Sequence, residues 1–186
     1  MLLLRAIALT IVLLSVLSGG HAMAQDKESL LVAVVDVQRI LNDAAASKNI
    51  RDALDQARVK FEAELEGEGK ALKEEEDKLR RQQSILAPDA FESKRRDLER
   101  RYAELRRRSQ EAGARLARAR NEALDKLRKE MAVVLTSLME EKNINMTLAR
   151  KSVLVYDERL NITDEVLALL DKRLPKLEVV IEATGQ

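Results

Sequence analysis

The sequence has no cysteine, no tryptophan and a single histidine, His21, and aromatic residues make up only 2% of the chain. Thiolate and imidazole metal sites and cysteine or serine–histidine nucleophiles are excluded, because His21 lies in a leader that we expect to be removed. The scarcity of aromatic side chains also disfavours binding of single-stranded nucleic acid, whose bases stack on such side chains. We therefore expect no enzymatic activity, no metal, no cofactor and no nucleic-acid partner.

The first 24 residues have the pattern of a secretory signal peptide. Arg5 is the only charge before the apolar run 6–17, and the AMA tripeptide at 22–24 is typical of a signal-peptidase site. The run is shorter than the ~20 apolar residues that a membrane-spanning helix needs, which argues against a retained anchor. We predict cleavage after this tripeptide and export of a soluble mature chain that begins at Gln25.

Charged residues make up 35% of the sequence. Cleavage would remove one of the 33 basic residues and none of the 32 acidic ones, so the mature chain would be formally neutral. Such a composition is typical of a long, exposed helical system and leaves little for a large compact core.

Residues 50–143 are almost all helix-forming and mostly charged, and a single proline, Pro88, interrupts them. Proline disfavours helix at the preceding residue and fits the first turn of a new one, so we predict two long helices folded back at a tip near 86–90. The apolar stripe of the first helix is one residue wide, because its leucines recur every seven residues between polar seam positions. These leucines are Leu65, Leu72, Leu79 and Leu86.

Gly67 and Gly69 interrupt the first helix and predict a weak point in it. They are either tolerated surface residues, which the pattern favours slightly, or a place where the hairpin bends.

Apolar segments at both ends of the hairpin predict a small body that contains a sheet. Residues 30–37 (LLVAVVDV) have the β-branched character of a buried strand, and residues 144–148 and 153–156 predict two more strands. Residues 131–139 are apolar enough for a core helix. Three short strands with exposed edges favour association of subunits, which would close the sheet.

The predicted fold class is α+β and mostly α. A signal peptide at 1–24 precedes a β-rich body with short helices, which residues 25–49 and 131–186 form, and residues 50–130 form the hairpin arm. Within the body, Thr163 is predicted to be the N-cap of a last helix.

The predicted tip is basic. From residue 78 to residue 108 eleven basic residues face five acidic ones, whereas residues 52–77 are mainly acidic. The arginines on both sides of the turn, where few acids are available for pairing, are Arg80, Arg81, Arg95 and Arg96. A positive tip suits anionic lipid head groups, phosphates or an acidic client.

Three segments resemble those of the Skp/OmpH family of periplasmic chaperones: VAVVDVQRIL at 32–41, VLVYD at 153–157 and NITDEVLALLDKRLP at 161–175. The resemblance covers about residues 31–175 and includes the charged hairpin. It implies a homotrimer in the periplasm, in which strands from three subunits form a barrel-like body and three hairpins surround a cavity. It also implies an ATP-independent holdase that binds unfolded outer-membrane proteins and prevents their aggregation.

This hypothesis assigns roles to particular side chains. The residues expected in the trimer body are Val32, Val34, Val35, Val153 and Val155. The apolar stripe expected to bind clients comprises Phe61, Leu65, Leu72, Leu79, Leu86, Leu98 and Leu105. Lipopolysaccharide binding, proposed for the family at basic arm residues, would fall on the four tip arginines, although the neutral mature chain departs from the basic charge of its best-known relatives. The alternative hypothesis is a structural coiled-coil spacer or tether of the envelope without chaperone activity.

Overall fold

The computed structural model describes residues 30–182, so the predicted signal peptide lies outside the described residues. The helices are α1 (Val37–Asp43), α2 (Ala45–Arg81), α3 (Pro88–Glu141) and α4 (Thr163–Arg173), the strands are β1 (Val32–Val35) and β2 (Met146–Ala149), and single 3-10 turns lie at Arg150–Ser152 and Glu158–Leu160. None of the helices within this range is both long and apolar enough to cross a membrane.

Helices α2 and α3 pack against each other as the predicted hairpin. Pro88 is the first residue of α3, and Ala87 before it has the extended conformation that a following proline favours. The turn lies at 82–87, earlier than the predicted 86–90, because α2 already ends at Arg81. The backbone N–H groups of Ile85 and Leu86 then both donate to the carbonyl of Gln82 at 3.0 Å, which closes the turn before the proline.

The body is built around the base of the hairpin. Its fully buried large side chains include Ile40 of α1, Leu127 of α3, and Val166 and Leu170 of α4. Residues 131–139 belong to this core as predicted, since Met131, Val134 and Leu138 are buried there. Asp171 of α4 also accepts a hydrogen bond from the backbone N–H of Ala45 at 2.8 Å, which caps the start of α2 and fixes it to the body.

A second apolar cluster lies near the tip, where Leu72, Leu79 and Leu98 are buried between α2 and α3. Four partly buried side chains pack against it, namely those of Leu86, Phe91, Tyr102 and Leu105. Midway along the arm, Ala112 and Ala119 are buried on α3 but belong to neither the tip cluster nor the body cluster. The apolar packing of the hairpin is therefore interrupted where the buried side chains of α3 are small.

The sheet has two strands, β1 and β2, which pair in parallel with Val32 opposite Met146 and Val35 opposite Ala149. An isolated parallel bridge joins Val34 to Asn161, which places residue 161 along the second edge of β1. The outer edge of β2 has no partner strand among residues 30–182. The sheet is therefore open on the side of β2.

The prediction of a third strand is wrong for the single subunit. Residues 153–156 form no strand, and the side chains of Leu154 and Val155 are 99% and 84% exposed. The chain leaves β2 through the 3-10 turn at Arg150–Ser152, and no strand within residues 30–182 lies beside residues 153–156 to pair with them. A β-branched segment becomes a strand only when its backbone groups find a partner.

The sequence predicts Thr163 as the N-cap of α4, and this prediction is wrong. The helix begins at Thr163 itself, and its N-cap residue is Ile162. The Thr163 hydroxyl accepts a hydrogen bond from the backbone N–H of Asp36 at 2.9 Å and donates one to Asn161 Oδ1 at 2.6 Å. It thus joins the end of β1 to the start of α4, which leaves it unavailable as a cap.

Candidate functional site

Two ion pairs cross between the helices of the arm. Arg101 pairs with Glu75, and Arg108 pairs with Glu68. The two pairs are seven residues apart on each helix, so they lie above one another on the same side of the hairpin. Exposed pairs of this kind contribute only ~0.2 to ~1 kcal/mol each to stability. Their main effect is therefore on the register of the two helices rather than on the stability of the hairpin.

Tyr102 links the tip cluster to this charged surface. Its hydroxyl donates a hydrogen bond to Glu76 Oε2 at 3.1 Å. This bond, together with the positive charge of Lys73, lowers the pKa of Glu76 below its usual value, and burial together with Glu76 raises the pKa of Tyr102. Glu76 therefore stays ionised and Tyr102 stays protonated around neutral pH, and the hydrogen bond is retained there.

The four tip arginines fall into two pairs with different surroundings. Arg80 lies 3.4 Å from Glu76, and Arg95 lies 2.9 Å from Glu92 and 2.5 Å from Glu99. The prediction that few acids are available here is therefore wrong for these two arginines. For the other two, no carboxylate of residues 30–182 lies within ion-pair distance of Arg81 or Arg96. The pKa of Glu92 is lowered mainly by its bond to Arg95, and the charge of Arg96 adds to this effect.

The turn between the helices adds an apolar side chain to this positive surface. Ile85 is 81% exposed, although Leu86 beside it packs against the tip cluster. The tip thus combines one exposed aliphatic side chain with the guanidinium groups of Arg81 and Arg96. Such a combination suits contact with a surface that is both anionic and apolar.

Most of the predicted client-binding stripe is used by the hairpin itself. Leu72, Leu79 and Leu98 are buried in the tip cluster. The other four stripe residues are half-buried, namely Phe61, Leu65, Leu86 and Leu105. Contact between a client and the three buried leucines would require the two helices to separate, so the role of the stripe remains a prediction. Sequence could not decide this, since packing and client binding would both use the same leucines.

The residues predicted for a trimer body also differ in their surroundings. Val34 and Val35 are buried in the subunit, Val32 and Val153 are half-buried, and Val155 is exposed. Further exposed apolar side chains that the sequence pattern had not indicated lie on β2 and next to Val155, namely Met146, Leu148 and Leu154. The alternation of Met146 and Leu148 along β2 was the signal that could have identified these two residues.

A long helical hairpin that rises from a small body containing a parallel strand pair defines a class of arm-bearing proteins. The family model of the outer membrane protein (OmpH-like) family matches residues 31–170, and the chain belongs to this family. A crystal structure from Caulobacter crescentus, provisionally named an outer membrane chaperone (OmpH-like), superposes with a TM-score of 0.78 at 24% identity. The match covers 82% of this chain and 90% of that one, which establishes the fold. No curated protein matches the sequence.

Proposed function

We propose that this protein is an ATP-independent periplasmic holdase, which binds unfolded outer-membrane proteins between the arms of a homotrimer and prevents their aggregation. The observation that carries the proposal is the small number of buried apolar side chains in a very long arm. Helix α2 has 37 residues and so extends for roughly 55 Å. Over that length only Leu72 and Leu79 are buried beyond its first turns at the body.

A spacer would be served best by a rigid arm with a continuous apolar seam, because its function depends on a fixed length. A holdase must accommodate clients of different size, so an arm whose two apolar clusters are separated by buried alanines suits it better. Many weak contacts made at once would supply the affinity. Membership of the OmpH-like family and the chaperone name of the Caulobacter crescentus relative both support this choice.

The homotrimer is supported by the open sheet. The outer edge of β2 lacks a partner strand within residues 30–182, and exposed apolar side chains lie on β2 and in the segment that follows it. Unpaired edges of this kind favour pairing with another chain, and a closed ring of subunits would cover them all.

The proposal is tested by diluting a β-barrel outer-membrane protein from urea in the presence of the mature chain. We expect light scattering to fall as the chaperone approaches one trimer per client, because the cavity removes apolar segments from solution. Sedimentation of the same sample should give a trimer mass. No effect on scattering would favour the spacer, and a monomer at micromolar concentration would contradict the cavity.

The basic tip carries a separate prediction about anionic membranes. We expect the double substitution Arg81→Ser and Arg96→Ser to weaken binding to phosphatidylglycerol vesicles by about tenfold or more, since each cation near such a surface contributes ~1 kcal/mol. The loss should shrink at high salt, which screens exposed charges. Vesicle co-sedimentation measures the effect.

The matched control is Arg118→Ser with Arg120→Ser. It removes the same charge from exposed positions near the middle of α3, away from the tip. This variant should bind vesicles like the wild type. If the tip variant and the wild type bind vesicles equally at low salt, the tip does not contribute to membrane binding.

A further inference from the structure

Residues 176–182 (KLEVVIE) follow α4 and form neither helix nor strand. We call this segment the strap. Along it, Leu177 is buried and Val179 and Ile181 are half-buried, whereas the residues between and around them are exposed. Burial of every second side chain is typical of an extended chain that lies with one side against a surface.

The strap packs on the body cluster and lies beside the base of α2. Leu177 belongs to the body cluster and Val179 packs against it. The backbone N–H of Leu177 donates to Asn49 Oδ1 at 3.1 Å. Four residues of α2 line a cleft beside the strap and lie on one helix face because of their spacing, namely Asn49, Asp52, Ala53 and Gln56, and all but Ala53 are polar.

Few contacts hold the strap. Its bond to Asn49 is the one hydrogen bond that joins it to the rest of residues 30–182. A cleft of about 690 Å³ remains between α2 and residues 176–179. Two apolar anchors and one hydrogen bond therefore hold a segment that does not fill its site.

We propose that the body cluster and this face of α2 together form a binding site for extended peptide segments with alternating apolar side chains, which would pack on the body cluster as Leu177 and Val179 do. The strap occupies this site as an internal competitor until such a segment displaces it. The Asn49 side chain recognises a main-chain N–H group, which nearly every residue offers, so the site tolerates many sequences. Strands of outer-membrane β-barrels alternate apolar and polar residues, and an unfolded barrel segment presents the same pattern as the strap. The inference rests on the proposed holdase function for the identity of the displacing segment.

An internal competitor raises the apparent Kd for a free peptide. The apparent Kd equals the intrinsic Kd divided by the fraction of molecules in which the site is open. Because the competitor is tethered beside its site, its effective concentration is high and the open fraction is small. Release of the strap should therefore strengthen binding of a free peptide of the same chemistry.

The test uses a fluorescein-labelled synthetic peptide with the sequence of residues 175–186, added to the full mature chain. The release variant carries Leu177→Ser and Val179→Ser, and the matched control is Val180→Ser, which alters the exposed residue next to Val179. We expect the release variant to bind the peptide at least about tenfold more tightly than the wild type or the control. A peptide in which residues 178 and 179 are exchanged loses the alternation and should bind more weakly. Equal binding by release variant and wild type, or equal binding of the two peptides, would overturn the proposal.

A second measurement does not depend on how the release variant folds. Excess unlabelled peptide should accelerate hydrogen exchange at the Leu177 amide of the wild-type chain, because displacement frees that N–H from Asn49. Unchanged exchange at saturating peptide would contradict displacement. Neither measurement involves an aggregating client, so failure of the holdase assay would overturn the proposed function and leave peptide binding at this site intact.

Discussion

Substitution of Leu72 by alanine is expected to open the outer half of the arm while the body stays folded. Leu72 is 0% exposed and is one of three buried residues in the tip cluster. Removal of a buried leucine side chain costs ~2 to ~5 kcal/mol, and a cluster this small has few neighbours that could close the resulting cavity. Because the tip and body clusters are separate, the loss should be confined to the tip.

Hydrogen exchange measured residue by residue checks this expectation. Amides of residues 68–108 should exchange roughly 30-fold faster or more, as a loss of ~2 kcal/mol or more requires, while those of α4 remain protected. Leu127→Ala is the matched variant, since Leu127 is also 0% exposed but lies in the body cluster. It should accelerate exchange throughout the body. Equal acceleration at the tip and in α4 for Leu72→Ala would mean that the two clusters unfold as one unit.

The hairpin could be predicted from sequence because its signals are local. Pro88 acts on its immediate neighbours and sets the start of α3, as the sequence indicated. The opening strand is likewise a short β-branched run that became β1, although it pairs over Val32–Val35 rather than the whole of 30–37. The exact position of the tip depended on where α2 ends, and a run of helix-forming residues up to Pro88 carries no signal for that end.

The number of strands could not be predicted, because strand formation depends on a partner. Residues 153–156 have the composition of a strand, yet the subunit offers them no neighbour within its described residues, and Leu154 and Val155 project outward. Composition alone cannot indicate whether a partner belongs to the same chain or to another one.

Ion pairing at the tip shows a similar limit. Glu92 and Glu99 lie three or four residues from Arg95 or Arg96, so spacing alone allows either arginine to take them. In the structure both carboxylates pair with Arg95. Sequence could identify the basic region, but only the side-chain geometry identified Arg96 as a guanidinium group without an ion pair within residues 30–182.

Substitution of Leu154 and Val155 by aspartate is expected to convert the proposed trimer into monomers. Both side chains are almost fully exposed in the subunit and lie in the segment after the open strand β2. Burial of each in an interface would contribute ~1.5 to ~3 kcal/mol, and a buried unpaired carboxylate costs several more. The helical circular dichroism should be unchanged, because no described core residue is altered, and sedimentation should give the monomer mass.

The matched control adds two aspartates at exposed apolar positions of the arm, Val59 and Ile85. It should remain a trimer, since it introduces the same charge without touching the sheet edge. The monomeric variant should also lose its effect on the scattering of a urea-diluted β-barrel protein, because a single arm encloses no cavity. If the Leu154 and Val155 variant stays trimeric, the subunits meet through another surface. If it becomes monomeric but still suppresses aggregation, the apolar groups of one arm suffice and the enclosed cavity is not the basis of the activity.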